Sequence, residues 1–410
     1  MNYHVFKEIH GLFHVLVQLI KMQVFDIVIW FRNSIFRTRQ NMKETTETLE
    51  SFRSSYDLNS VTDPNSLLFI DIETTGFTAR TSYLYLIGVA YLSDNKWCTK
   101  QWFAEKYEEE KDIINGFFDF AIGGGYDTLV HFNGNQFDLP YLTQKITALG
   151  LDLSIDSFKG IDLYRRISPL KHLLGLSSLK QKSVERFLGI ERTDVFSGGD
   201  LIGIYHDYVK NPSEFACNSL LLHNEDDLKG MIRILPMLAY PDLTSGKFRV
   251  CKVHADTYKD YNGQSQSEII MNLKLESALP KQISAFAHGC YIKADKNEAQ
   301  IKVPLYNEEM KYFYAAYQDY YYLPEEDTAL HKSVATFVDK DHRTQATAAT
   351  CYTRKQSSYL PQWDIVFEPL FRREYRSTDL FFELTDDMKR DRIAFNKYAL
   401  HIISMLASTY

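Results

Sequence analysis

Short apolar runs separated by polar turns mark the readable part of this chain. Residues 67–74 form a run of strand length, Leu-Leu-Phe-Ile-Asp-Ile-Glu-Thr, whose apolar character is broken only by Asp71, Glu73 and Thr74. Residues 84–92 form a second run. Ser93-Asp-Asn follows it, then the aromatic stretch 96–103, a pattern that predicts a hairpin. The spacing then predicts a helix over 108–121, stopped by Gly123-Gly-Gly125, a strand over 128–132 and a helix over 137–150. A short strand over 160–163 and a helix over 177–188 come next. Asn211-Pro-Ser-Glu214 reads as a helix start, with Asn as cap and Pro in the first helical position, and that helix can run to residue 239. Three consecutive strands and then alternating helices and strands predict an α/β fold, a mixed five-stranded sheet flanked by helices.

After Pro241 the pattern changes. Residues 268–275, 290–294 and 299–304 read as extended, with Asp295-Lys-Asn297 as a turn. Residues 308–320 and 392–407 read as helices. This divides the chain into an extension and linker over 1–66, an α/β domain over 67–240, and an α+β accessory region of unassigned role over 241–410. Residues 12–31 hold fifteen apolar residues but also Lys21 and Asp26. The apolar residues contribute about −0.3 to −0.6 kcal/mol each to membrane insertion and each central charge costs roughly 2.5–3.5 kcal/mol, so the sum is near zero. The expectation is no membrane span. An amphipathic helix packed on the body, or a true start at Met42, are the other readings.

Composition narrows the function classes. The five cysteines are dispersed, with no Cys-x-x-Cys, which argues against a disulfide framework or a zinc knuckle and for reduced thiols in a cytoplasmic protein. No Gly-x-x-x-x-Gly-Lys-Ser/Thr occurs, so no P-loop and no nucleotide cofactor are expected. The net charge of −7 gives no global sign of a nucleic-acid binder. Residues 159–192 depart from it, with eight Lys or Arg against three acids. Arg343, Arg354 and Lys355 interleave with Tyr352 and Tyr359, the charge-plus-ring composition that single strands favour.

The chemistry lies in carboxylates placed where charge is costly. Asp71 and Glu73, at i and i+2 of a strand, leave the same face of the sheet. Asp138 follows an apolar strand and the polar turn 133–136. His223 and Asp227, four apart, share a helix face, although the adjacent Asp226 leaves open which aspartate points inward. Carboxylates gathered in an apolar setting commonly share a cation, and His can accept a proton near neutral pH.

Together, Asp71-Ile-Glu73, Asn133-x-x-x-Phe137-Asp138 and His223-x-x-x-Asp227 resemble the three motifs of the DEDD exonuclease superfamily, which has a ribonuclease-H-like fold. The nearest resemblance is to the bacterial YprB-type ribonuclease-H-like family, which Leu173 to Arg192 also resembles. The resemblance spans about residues 65–240. It implies a 3′→5′ exonuclease in which Asp71, Glu73, Asp138 and Asp227 hold two divalent cations, Mg²⁺ or Mn²⁺. It implies His223 as general base, and Thr74, Thr75, Gly76, Asn133 and Phe137 beside a single-stranded or free 3′ end. Members with this third-motif spacing usually carry Tyr, so His223 departs from the pattern. An endonuclease, or a non-catalytic nucleic-acid-binding module on the same fold, are the rival readings.

Overall fold

The structure, a computed structural model, describes residues 42–409 apart from Ser51, Arg53, residues 193–195 and Ser197. The apolar stretch 12–31 lies outside the described residues. Among the described residues no helix is long and apolar enough to cross a membrane.

Six strands form the main sheet: β1 (Lys43–Leu49), β2 (Leu67–Thr74), β3 (Leu84–Ser93), β4 (Lys96–Phe103), β5 (Thr128–His131) and β6 (Lys159–Asp162), in the order β1-β4-β3-β2-β5-β6. The first four are mutually antiparallel, and β5 and β6 run parallel to β2. The fold class stands as read, but the sheet has one strand more than expected. Residues 43–49 are β1 and not linker. Their mostly polar sequence, Lys-Glu-Thr-Thr-Glu-Thr-Leu, suits an edge strand with most side chains in solvent, and so leaves no apolar run to notice.

β2 is central, and its alternation decides what each face does. Leu68, Ile70 and Ile72 enter a core under α1 (Glu110–Gly123) and α2 (Asp138–Ala148). Leu67 and Phe69 face the other way, into a core shared with Leu228 and Met231 of α6 (Glu214–Arg233). Asp71 and Glu73 continue that second face. It therefore turns from hydrocarbon to carboxylate where the strand emerges beneath α6. That helix is capped by Ser213, whose side chain accepts from the Ala216 amide, and not by Asn211. Between β6 and α6 lie three more helices: α3 (Leu163–Ile167), α4 (Gln181–Leu188) and α5 (Gly198–Lys210). α5 was not foreseen.

The remainder is richer in strands than the sequence suggested. A short helix, α7 (Ala239–Thr244), leads into a three-stranded antiparallel sheet of β7 (Phe248–Lys259), β8 (Ser265–Ala287) and β9 (Cys290–Pro304). Asp295 to Asn297 lie inside β9 and not at a turn. Lys296 takes a positive φ of 50°, and the β8/β9 register shifts beside it. The helix expected over 308–320 is instead largely β10 (Tyr306–Phe313), paired with residues 352–362. Its tyrosines pack ring to ring, with Tyr314 and Tyr320 stacked at 4.5 Å, and that lateral packing favours strands.

The core under α6 runs on through Leu238, Tyr240 and Leu243 into Met271, Ile292, Phe395 and Ile402. Asp242 ties the parts together by accepting from Tyr56 and Ser277 and pairing with Lys247 at 2.8 Å. All five cysteines are free, and only Cys251 is exposed.

Candidate metal centre and active site

Asp71 and Glu73 leave β2 on the face that α6 covers. An irregularity in the β2/β3 ladder lies between Glu73 and Thr74 and passes over Tyr85, since Glu73 pairs with Leu86 and Thr74 with Leu84. This bulge turns the Tyr85 ring onto Tyr205 of α5, stacked at 4.2 Å, with its hydroxyl facing Glu73. The hydroxyl is wholly buried and makes no hydrogen bond of ordinary length.

Asp138 is the first residue of α2 and almost fully buried. It is not the cap, which is Phe137. Its carboxylate faces the Ile72 amide of β2 and sits at the positive end of the α2 dipole. From α6, Asp227 reaches the same place. Its Oδ2 is 3.4 Å from His223 Nε2, which in turn is 3.8 Å from Glu73 Oε1. One ligand atom each from Glu73, His223 and Asp227 lies within 4.8 Å of the other two. Asp227 is thus the aspartate that faces Glu73 and His223, although Asp226 is the more buried of the two.

The electrostatics show that the four acids converge. Burial pushes the Asp71 carboxyl well above the carboxylate range, and the charges of Asp227, Glu73 and Asp138 push it further. Glu73 rises for the same reasons, burial first and then Asp227 and Asp138, against smaller opposite pulls from Tyr85 and Lys182. Asp138 is pushed up to about 7, chiefly by burial and against the backbone bonds that lower it. Like charges gathered in a dry place are costly unless a cation joins them. An all-carboxylate set with one imidazole fits divalent ions.

Several groups that fix this cluster gave little signal in the sequence. Asn224, wholly buried, donates through Nδ2 to Asp71 Oδ2 at 2.8 Å and accepts at Oδ1 from Gln101 Nε2 at 2.9 Å. Gln101 in turn accepts from Thr45 of the edge strand. Arg192 clasps Glu185 with two nitrogens and donates to Asp227 Oδ1 at 2.5 Å. Gln181 donates to the Asp227 carbonyl. The basic segment 159–192 is therefore partly internal scaffolding for Asp227. Asp162 caps α3 and accepts the Asn133 amide at 2.9 Å, which holds Asn133 at φ 64°.

Gly88 stands opposite Asp71 in the ladder, and a Cβ there would lie 1.9 Å from Asn224 Oδ1. Gly88→Ala is accordingly expected to drive Asn224 off Asp71, with overpacking costing about 1–3 kcal/mol. Urea denaturation would read that loss, and an unchanged midpoint would show that α6 is not held this closely.

The remaining residues named from the sequence sit in the loops above the cluster. The Thr74 hydroxyl donates to the Gly76 carbonyl, and the Thr75 hydroxyl accepts from the Tyr83 amide, so both staple the loop 75–83. Phe137 meets Phe77 edge to face at 5.9 Å, and Phe77 is 89 % exposed. Phe77, directly after Gly76, was overlooked, although an aromatic one step beyond a strand exit is a readable cue. The carboxyl-terminal residues do not form a stacking surface. Tyr352 and Tyr359 are buried, Arg354 pairs with Glu309 and Asp327, Lys355 pairs with Glu383, and Arg343 lies over the Tyr321 ring.

Sheet order and flanking helices define a ribonuclease-H-like fold. Residues 68–239 match the model of the RNase_H_2 family of the RNase_H superfamily. No curated protein sequence matches the chain. Among solved structures, the family B DNA polymerase of the hyperthermophilic archaeon Pyrobaculum calidifontis is 19% identical over 43% of this chain and 26% of that one, with a TM-score of 0.36. Exonuclease I of E. coli in complex with a dT13 oligonucleotide is 11% identical over 51% of this chain and 54% of that one, at 0.25. A product-bound exonuclease I is 12% identical over 83% and 71%, at 0.26. The chain thus spans about a quarter of the polymerase's length and about half of the E. coli exonuclease's. At such scores the whole chains do not superpose, and no residue role is carried across from them.

Proposed function

We propose that this chain is a divalent-metal-dependent nuclease that removes nucleotides from the 3′ end of a single strand. The observation that carries the reading is the gathering of Asp71, Glu73, Asp138 and Asp227, from three separate elements, within one another's field. These four would hold two cations, Mg²⁺ or Mn²⁺. When bound, such ions ionise a water and stabilise the leaving oxygen of a phosphodiester. The chain's own part is positional. Asn224 orients Asp71, and Arg192 takes one oxygen of Asp227 and leaves the other toward His223.

Phe77 supports the choice of a single strand. It stands in solvent, braced from the side by Phe137, which itself adjoins Asp138. An exposed ring beside a metal cluster offers a face to a terminal base. Phe77→Ala is expected to lower kcat/KM on single-stranded oligonucleotides about 10–100-fold, from roughly 1–3 kcal/mol of stacking, with metal binding unchanged. Steady-state cleavage assays would show it, and equal kcat/KM would remove Phe77 from the substrate path.

The decisive test is a panel of end-labelled RNA and DNA, single- and double-stranded, incubated with Mg²⁺, Mn²⁺ or EDTA. Stepwise shortening from the 3′ end, abolished by EDTA, is the expected result. Cutting of circular strands would make the protein an endonuclease. Binding with no cleavage in either ion would make it a binding module on a nuclease fold.

A further inference from the structure

We infer that His223 is a direct metal ligand, completing with Glu73 and Asp227 a nitrogen-containing site for a first-row transition cation of the Mn²⁺ class. The inference rests on the nuclease reading of the cluster. It departs from the proton-acceptor role that the motif resemblance implied for this residue.

The argument begins with helix geometry. Side chains at i and i+4 stand one turn apart on the same face, so their tips can converge on one point. Here His223 Nε2 and Asp227 Oδ2 are 3.4 Å apart, and Glu73 Oε1 closes the triangle at 3.8 Å from the imidazole. Ligands about 2.1–2.2 Å from one ion stand roughly 3–4.4 Å from each other. Both separations fall in that interval. A proton acceptor for a metal-held water has to stand outside the ligand set, with the water between it and the ion. His223 stands inside it, almost fully buried, with Nε2 between two carboxylates.

A second observation comes from the opposite side. The Tyr85 hydroxyl, wholly buried and without a hydrogen bond of ordinary length, is turned on Glu73 by the bulge in β3. Glu73 thus faces both the Tyr85 hydroxyl and the His223 ring.

The donor set determines which cation suits it. Mg²⁺ demands oxygen ligands and gives up water reluctantly, whereas first-row transition cations accept imidazole readily. Asp71 and Asp138, which lie outside the Glu73, His223 and Asp227 triangle, form the all-oxygen side of the cluster. The two positions are therefore chemically unequal, one suited to Mn²⁺ and the other indifferent between Mn²⁺ and Mg²⁺.

Pulsed electron paramagnetic resonance of the full chain loaded with Mn²⁺ tests this directly, because nitrogen bound to Mn²⁺ modulates the echo and oxygen does not. Directly coordinated ¹⁴N is expected in the wild type and in Asp71→Asn, and its loss in His223→Gln. Mn²⁺ titration should show the His223→Gln site weakened by no less than the roughly 10–100-fold that loss of an outer partner costs, with Mg²⁺ binding changed by less than about threefold. Mn²⁺ bound through oxygen alone in the wild type would overturn His223 as a ligand and leave the nuclease reading standing. A wild type that binds neither Mn²⁺ nor Mg²⁺ would overturn both. The wild-type spectrum decides even if His223→Gln fails to fold.

Discussion

Asp71→Asn is expected to abolish phosphodiester hydrolysis and to leave the protein as stable as before, or more so. The side chain keeps its shape and an oxygen for the Asn224 amide to donate to, so the contact between β2 and α6 survives. What disappears is one negative charge among four. A metal that polarises an attacking water contributes several kcal/mol to the transition state, and each 1.36 kcal/mol is tenfold, so the loss should reach about 10³-fold or more. In the metal-free protein the same substitution relieves strain, because burial and the charges of Asp227, Glu73 and Asp138 all disfavour an ionised Asp71. Cleavage assays in Mg²⁺ and Mn²⁺, paired with thermal melts, separate the two effects. Retained turnover would remove Asp71 from the metal centre. Lost turnover with a lower Tm would mean that the defect is one of folding.

The second large effect is a dependence of stability on pH that divalent ions offset. Asp138 has an ordinary value of 3.8 and is raised to about 7 in the fold, with Asp71 and Glu73 raised as well. For a carboxyl raised in this way the folded state prefers the proton. The associated stability is fully present below the unfolded value, near 4, and is lost as pH rises through about 7. At about 1.4 kcal/mol per pH unit, ionising Asp138 alone costs on the order of 4 kcal/mol. With EDTA present, the Tm should therefore fall between pH 5 and pH 8, and Asp138→Asn should flatten that fall. Mn²⁺ or Mg²⁺ binds the ionised cluster, so its stabilisation should be greatest at pH 8, about 2.7 kcal/mol at a hundredfold excess over Kd. If the gap between metal-loaded and metal-free Tm were the same at pH 5 and pH 8, the carboxylates would not be the groups that the ion neutralises.

The course of the main sheet and the four acids could be read from the sequence because both depend on local pattern. Leu67 to Ile70 had to form a central strand, and the period of two then put Asp71 and Glu73 on one face. Asp227 was legible from its spacing to His223, but its choice over Asp226 needed the rotation of α6 against β2. The partners that hold the acids come from distant parts of the chain, and no local pattern joins Asn224 to Gln101 or Arg192 to Asp227. The same holds for Tyr85, which reaches Glu73 only because the ladder slips. The tyrosine-rich stretch after residue 305 misled for a related reason. Helical spacing can be found in it, but β10 is satisfied sideways, by a strand whose paired residues lie 39 to 53 positions further along.

One hydrocarbon interior spans both halves of this chain, from Phe69 and Leu228 through Tyr240 to Phe395 and Ile402. Cutting at residue 240 would wet Leu235, Met237 and Leu238 all at once, so the acidic half has no natural seam at which to be excised. The part that the motifs do not explain packs on the segment just after α6, against Leu235, Met237 and Leu238. Damage far out in the last helix would be felt first there, at the carboxyl end of α6.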